Sequence, residues 1–341
     1  MIKLCSSSLA VLAASLLSVS AFAGDPASGK EDLPAAFYDG GLAQFAANSL
    51  MDLPQSQALI IPAGAIIPRE DPVLRFFRKQ DASALGPYSA GRFFDQSASV
   101  PWDIAGIYGF TTAVGILHWN WGSQDFHFHD EGWFGIKTGS LGTDKLGHAF
   151  TTYLYTEYLT QRILQEADDP RGAAVTAALL AMGVQTYVEV FDGFSADHGF
   201  SYEDLTMDAG GALLSVMRSA FPELGRKLDF RMEYLPSGNA KFSPISDYSG
   251  QKYVLALKLA GFDQFADTPL RFMELQAGYY GRGFTPAERA RHERRRREPF
   301  VGIGLNLQPL FDGATSAPAA AAQRVLEYVQ VPYTYLPTKR D

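Results

Sequence analysis

The residues best suited to chemistry begin with TDKLGHAF at 143–150, which sets Asp144, Lys145 and His148 within about one helical turn of each other. On a helix, Asp144 and His148 are four apart and share a face. More ionisable residues follow beside apolar runs: Glu189 and Asp192, Asp197 and His198, then Asp204 and Asp208, again four apart. His148 with Asp144, Glu189 and Asp204 offers one imidazole and three carboxylates, a donor set suited to zinc, manganese or magnesium. A divalent metal held there would activate water on a phosphate or ester. In that reading His148 is a ligand or general base, the three carboxylates are ligands or orienting groups, and Lys145 is their electrostatic partner. The sequence holds no HExxH motif, and one histidine is sparse for zinc. HFHDE at 127–131 adds His127 and His129, which would share one face of a strand. The same residues also make a purely structural set. Lys145 pairing with Glu189 or Asp204, and Ser201 capping a helix, would fix helix register with no catalysis.

Other motifs lead away from nucleotide and serine chemistry. GFSAD at 193–197 lacks the second glycine of a nucleophile elbow, and GDPASGK at 24–30 lacks phosphate-loop spacing. A formal net charge of -8 excludes general nucleic-acid binding. Against that average stands RARHERRRR at 289–297, where Arg294, Arg295, Arg296 and Arg297 offer a ligand site for anionic envelope lipid, or else a solvated loop tip. Aromatics crowd WNWGSQDFHFHDEGWFG at 119–135, and a tyrosine-rich C-terminal part could face a lipid interface or a partner in the outer membrane.

The elements that must position these groups fall into an α+β order. Residues 1–23 read as a signal peptide, with Lys3 before an apolar stretch and Ala21, Phe22, Ala23 before Gly24. Cys5, the only cysteine, precedes that stretch, which argues against a lipid anchor and leaves the exported chain without thiol chemistry. Residues 24–100 form an irregular arm. Residues 101–235 form a helical domain, with helices at 104–119, from Asp144 to about 166, at 172–191 and at 202–218. Ser201 before Tyr202, Glu203 and Asp204 reads as an N-cap followed by acidic residues favoured by the helix dipole. The apolar run 173–184 is too short to span a bilayer and reads as a core helix. Glycines 210 and 211 inside a helix ask for a close neighbour. Residues 236–341 form an antiparallel module whose strands are 252–262, 272–281, 299–309 and 325–335, with an Ala-rich loop at 314–322.

The order DKLGHAF, then EVFDGFSADHGFSYEDLTMDAGGALL, resembles the YfiM-like family of uncharacterised bacterial periplasmic proteins, and the same order is similar to the membrane-embedded VanZ-like proteins. The resemblance marks Asp144, Lys145, His148, Glu189, Ser201, Asp204, Gly210 and Gly211, and it places an asparagine where this sequence has Asp208. It implies an exported protein of the periplasm or outer membrane with a polar helical site. The expected function is an outer-membrane-associated role in binding a lipid or glycan, with a metal-dependent hydrolase or a structural polar network as alternatives.

Overall fold

A computed structural model describes residues 88–237 and 242–337. The signal peptide, Cys5 and most of the irregular arm lie outside them. The fold is α+β, a helical core followed by a C-terminal antiparallel sheet. The helices of the core are α1 (Ala90–Ser97), α2 (Pro101–His118), α3 (Thr143–Ile163), α4 (Pro170–Asp192), α5 (Tyr202–Ala220) and α6 (Pro222–Lys227). Their starts follow local chemistry. Pro101 and Pro170 sit in the first turns of α2 and α4, and Asp169 and Ser201 accept backbone N–H bonds from Gly172 and Asp204. Gly142 begins α3 at φ 83°, and a Cβ there would lie 2.5 Å from the Phe134 ring, so only glycine fits.

Helix α3 lies at the centre, against α4, α5 and the sheet. One end of it joins an apolar cluster of Ile107, Leu159, Ile163, Ala177 and Val184 from α2, α3 and α4. There Arg162 and Asp103 form an ion pair at 2.9 Å. Further along α3, Phe150 and Tyr153 pack on Phe230 and Tyr253 of the sheet. Helix α4 is long and apolar enough to cross a membrane, but 44% of its most apolar window is buried within the bundle. Its inward residues include Gln185 and Glu189, so it is built as a core helix.

The sheet is a meander in the order β1 (Leu228–Tyr234), β2 (Gln251–Lys258), β3 (Met273–Arg282), β4 (Arg296–Leu305) and β5 (Tyr335–Pro337). Two sequence expectations need correction here. LDFRMEY at 228–234 alternates apolar and charged residues and forms β1, inside the stretch read as helical. The segments read as an Ala-rich loop at 314–322 and a strand at 325–335 are largely one helix, Ala317–Tyr328, and only Tyr335–Pro337 pairs with β4. Four alanines behind Pro318 favour the helix over the alternation. Two further short helices, α7 (Asp263–Ala266) and α8 (Pro286–Ala290), precede that one, which is therefore α9.

The glycine pair in α5 divides into two cases. A Cβ on Gly211 would lie 1.9 Å from the Ala149 carbonyl oxygen of α3, whereas one on Gly210 meets nothing within 4 Å. Gly211→Ala should therefore force α3 and α5 apart and destabilise the protein by about 2 kcal/mol or more. Gly210→Ala should be neutral or stabilising by up to about 1 kcal/mol. Chemical denaturation of the two variants checks the contrast, and equal effects would refute the close approach.

Candidate functional site

The N-terminal turns of α3 and α5, the last turns of α4 and the loop before α3 converge on one buried cluster of charge. Lys145 is 1% exposed. Its ammonium lies 2.9 Å from Asp144 Oδ2, 2.9 Å from Asp204 Oδ1 and in direct contact with Glu131 Oε2. Ser140 donates its hydroxyl proton to Asp144 from the other side. Glu131, Asp144 and Asp204 form a trio whose oxygens lie within 4.8 Å of one another, and the Lys145 ammonium forms an ion pair with each.

A second trio shares Asp204. His148, Glu189 and Asp204 also bring ligand atoms within 4.8 Å of one another. His148 Nε2 is 3.8 Å from Asp204 Oδ1, and its Nδ1 is 3.8 Å from Glu189 Oε1 and 3.5 Å from Asp208 Oδ1. The imidazole thus faces three carboxylates at distances longer than a hydrogen bond. Glu189 is held by its other oxygen, which accepts the Ser201 N–H at 2.9 Å and ties the end of α4 to the cap of α5. Asp208 Oδ1 accepts from Thr152 at 2.6 Å and Gln185 at 2.8 Å, while its Oδ2 is buried without a hydrogen-bond partner.

The four metal-ligand candidates of the sequence are therefore distributed over two trios. Asp144 joins Lys145, Asp204 belongs to both trios through its own contact with Lys145, and His148 and Glu189 complete the second. Glu131 is the member that sequence reasoning missed. It lies in HFHDE, where attention fell on the histidines. The ring nitrogens of His127 face the carbonyl oxygens of Gly193 and His198, each at 3.1 Å, and His129 Nδ1 lies 3.9 Å from Glu131. Asp197 accepts from Asn120 and Asp192 from the Trp121 indole, so both are spent on fastening the 119–135 loop.

Five carboxylates thus surround one ammonium and one imidazole, and the surplus of negative charge controls protonation. Burial, with the nearby Asp204, pushes Glu131 up to about 7 against the opposing pull of Lys145. Burial likewise lifts Glu189 to about 8, although His148 opposes it. Burial pushes Asp144 up too, but Lys145 and Ser140 outweigh it and hold it below the usual carboxylate range. Burial lowers His148, yet Asp204, Asp208 and Glu189 raise it well above an ordinary histidine.

The arginine segment is placed apart from this cluster. Arg295 donates to the carbonyls of Thr138 and Gly139, and Arg297 to the carbonyl of Phe134, so both pin the loop that leads into α3. Arg296 lies 3.4 Å from Glu298, and Arg294 is exposed.

Residues 130–220 match a family model described as "Predicted periplasmic lipoprotein (DUF2279)", a domain of uncharacterised function. The match takes in both trios and ends before the sheet. It agrees with export to the cell envelope and with the coarser part of the resemblance seen in the sequence, an uncharacterised periplasmic family; it does not bear on the YfiM-like and VanZ-like links. Lipoprotein is the description of that family model, and Cys5 lies outside the described residues. No curated protein and no solved structure gives a significant match.

The raised carboxyls give stability a definite sign with pH. Glu131 and Glu189 ionise at about 7 and about 8 in the fold, above the ordinary 4.5, so folding favours their neutral forms. Their contribution is complete below pH 4.5 and is lost as pH rises through 7 and 8; His148, also raised, changes in the same direction. Thermal melts in chelator should show stability falling between pH 6 and 9, with the dependence reduced in Glu189→Gln. A melting temperature that is flat across that range would refute the assignment.

Proposed function

We propose that this is an exported cell-envelope protein whose helical core binds a divalent cation at His148, Glu189 and Asp204 and uses it for hydrolytic chemistry. The observation that carries the reading is the convergence of those three ligand groups, from three different helices, beside a trio paired with Lys145 that shares Asp204 with them. One imidazole nitrogen with carboxylate oxygens fits manganese, zinc or magnesium. Such a cation, when bound, polarises a phosphoryl or acyl oxygen and lowers the pKa of water.

The protein's own residues divide the remaining work. Asp208, fixed by Thr152 and Gln185, orients the His148 ring. Lys145 holds Asp204 in place and keeps the Glu131–Asp144 side neutralised. Glu131, with its side chain 23% exposed and its pKa at about 7, is the group suited to carry a proton near neutral pH. The loop that supplies Glu131 and the helix start that supplies Asp204 also carry Phe128 and Tyr202, exposed and stacked at 5.5 Å. That aromatic lip supports an organic substrate, a lipid head group or a glycan, as the molecule presented to the cation.

A second reading is favoured by Lys145 itself, which shows that the fold can satisfy such a trio with an internal cation. In that reading the whole set fixes the register of α3, α4 and α5 and holds no metal. Elemental analysis and calorimetric titration with manganese and zinc separate the two. The enzyme reading expects about one equivalent bound, with affinity falling roughly 10- to 100-fold or more in His148→Ala and Glu189→Gln. Glu131→Gln should retain the metal and lose turnover of generic phosphate or ester substrates. Absence of stoichiometric metal from the unaltered protein, together with a large drop in melting temperature for His148→Ala, would overturn it in favour of the structural network.

A further inference from the structure

The sheet has its polarity reversed. In an antiparallel sheet of a soluble protein, one face normally buries apolar side chains and the other shows polar ones to water. Here the face beneath α9 carries charge. Asp229, Arg231, Lys258 and Glu274 are at most 3% exposed, with Lys258 Nζ 2.7 Å from Asp229, Arg231 2.7 Å from Asp229 and 2.9 Å from Glu274. Gln308 and Gln330, from the segments flanking α9, bond into the same network.

The opposite face is apolar across the strands. Part of it, Phe230 and Tyr253 of β1 and β2, packs on α3. Beyond α3 the register builds open rows: Leu255 with Ala277 and Val301, Leu257 with Leu275, Ile303 and Leu336, then Met273 with Leu305. Leu275, Ile303 and Leu305 are 49, 50 and 51% exposed, and Leu336 is 73% exposed. Four strands and three rows make a patch roughly 14 Å by 13 Å from ordinary sheet spacings. None of its members is charged.

Charge begins where the rows end. The outward face of β4 reads Arg297, Pro299, Val301, Ile303, Leu305, basic at one end and apolar for the rest. The connection into β4 adds exposed Arg289, Arg291 and Arg294. Arg291 pairs with Glu293 at 2.8 Å, whereas Arg289 and Arg294 form no ion pair among the described residues.

We propose that this face of β2–β5 docks on an anionic phospholipid bilayer, its leucine and isoleucine rows entering the acyl boundary and the β3–β4 arginines meeting the phosphate headgroups. Polar-in, apolar-out alternation along strands is the pattern lipid imposes on a sheet. Apolar area beside a cluster of arginines is the pairing that binds anionic membranes. A second copy of the chain is the weaker occupant, since a bare apolar patch edged by arginines carries no complementary acidic rim. The inference stands apart from the cation site and survives its failure.

Co-sedimentation of the full-length purified protein with vesicles tests it, using phosphatidylcholine alone and phosphatidylcholine mixed with phosphatidylglycerol. Binding is expected with the mixed vesicles and should weaken as salt is raised. Ile303→Asp with Leu305→Asp should reduce it by about tenfold or more, and these exposed positions leave the fold intact, as a thermal melt verifies. Arg289→Glu with Arg294→Glu, which leaves the apolar rows untouched, should cost about fivefold per arginine on the mixed vesicles and little on the neutral ones. Failure to bind either vesicle would overturn the proposal. So would a dimer in analytical ultracentrifugation that the Ile303→Asp, Leu305→Asp variant dissolves, because a second copy would then cover the face.

Discussion

The ammonium of Lys145 is the constraint on which the helical core is built. A charge with 1% exposure must find its solvation inside the protein, and it finds it in one carboxylate from each of three places: the 119–142 loop, its own helix and the start of α5. Each contact fixes a piece of backbone. Glu131 brings the loop down on the mouth of α3, Asp144 locks the first turn, and Asp204 sets the register of α5 beside α3. Once Asp204 is fixed by Lys145, the same Oδ1 also stands 3.8 Å from His148. The candidate cation site is thus a consequence of how the lysine is neutralised. Gly211, which lets α5 approach the Ala149 carbonyl, makes that closeness possible.

A second buried network repeats the principle in the sheet, and α3 connects the two. Arg218 of α5 donates to Tyr153 of α3, lies 3.9 Å from Glu157 and 3.7 Å from Asp229 of β1, and so joins helices to strands through charge. Around Asp229, Arg231 and Lys258 each have a carboxylate at hydrogen-bond distance, which distinguishes this network from the surplus of carboxylates around His148. Balanced ion pairs fasten architecture; unbalanced ones ask for a proton or a cation. Because so much of the interior is polar, many large apolar side chains are left outside, and the open rows of β3 and β4 are their most regular expression.

The sequence showed the helices well because their periodicity, caps and prolines are local signals. Ser201 and its acidic first turn lie where the spacing puts them. The pairing of Lys145 with Asp204 was also legible, as one of two options, while its third carboxylate was not. Glu131 reaches Lys145 across a loop whose path depends on glycine turns and on Arg295 and Arg297 arriving from a distant hairpin. No spacing rule carries that information. The arginine run is similar: composition does not show that carbonyl acceptors brought by tertiary packing hold two of its members, Arg295 and Arg297. At the C-terminus, VLEYVQV alternates well enough to look like a strand, yet its first residues belong to a helix started by the alanines before them. Strand β1 was the opposite case, a true alternation hidden by its position directly after a helix.

Position 208 shows how one atom changes the character of the site. The asparagine that the resemblance in the sequence implies at this position would offer a carbonyl oxygen able to accept from Thr152 and Gln185 just as Asp208 Oδ1 does. The architecture therefore does not require the acid. What the carboxylate adds is a negative charge 3.5 Å from His148 Nδ1, with its second oxygen buried and without a hydrogen-bond partner. In a low-dielectric interior that charge raises the affinity of the imidazole for a proton and of the whole trio for a cation. An asparagine would remove that charge and lower the proton affinity of His148. The aspartate thus adds a buried negative charge to the candidate site beside His148, Glu189 and Asp204.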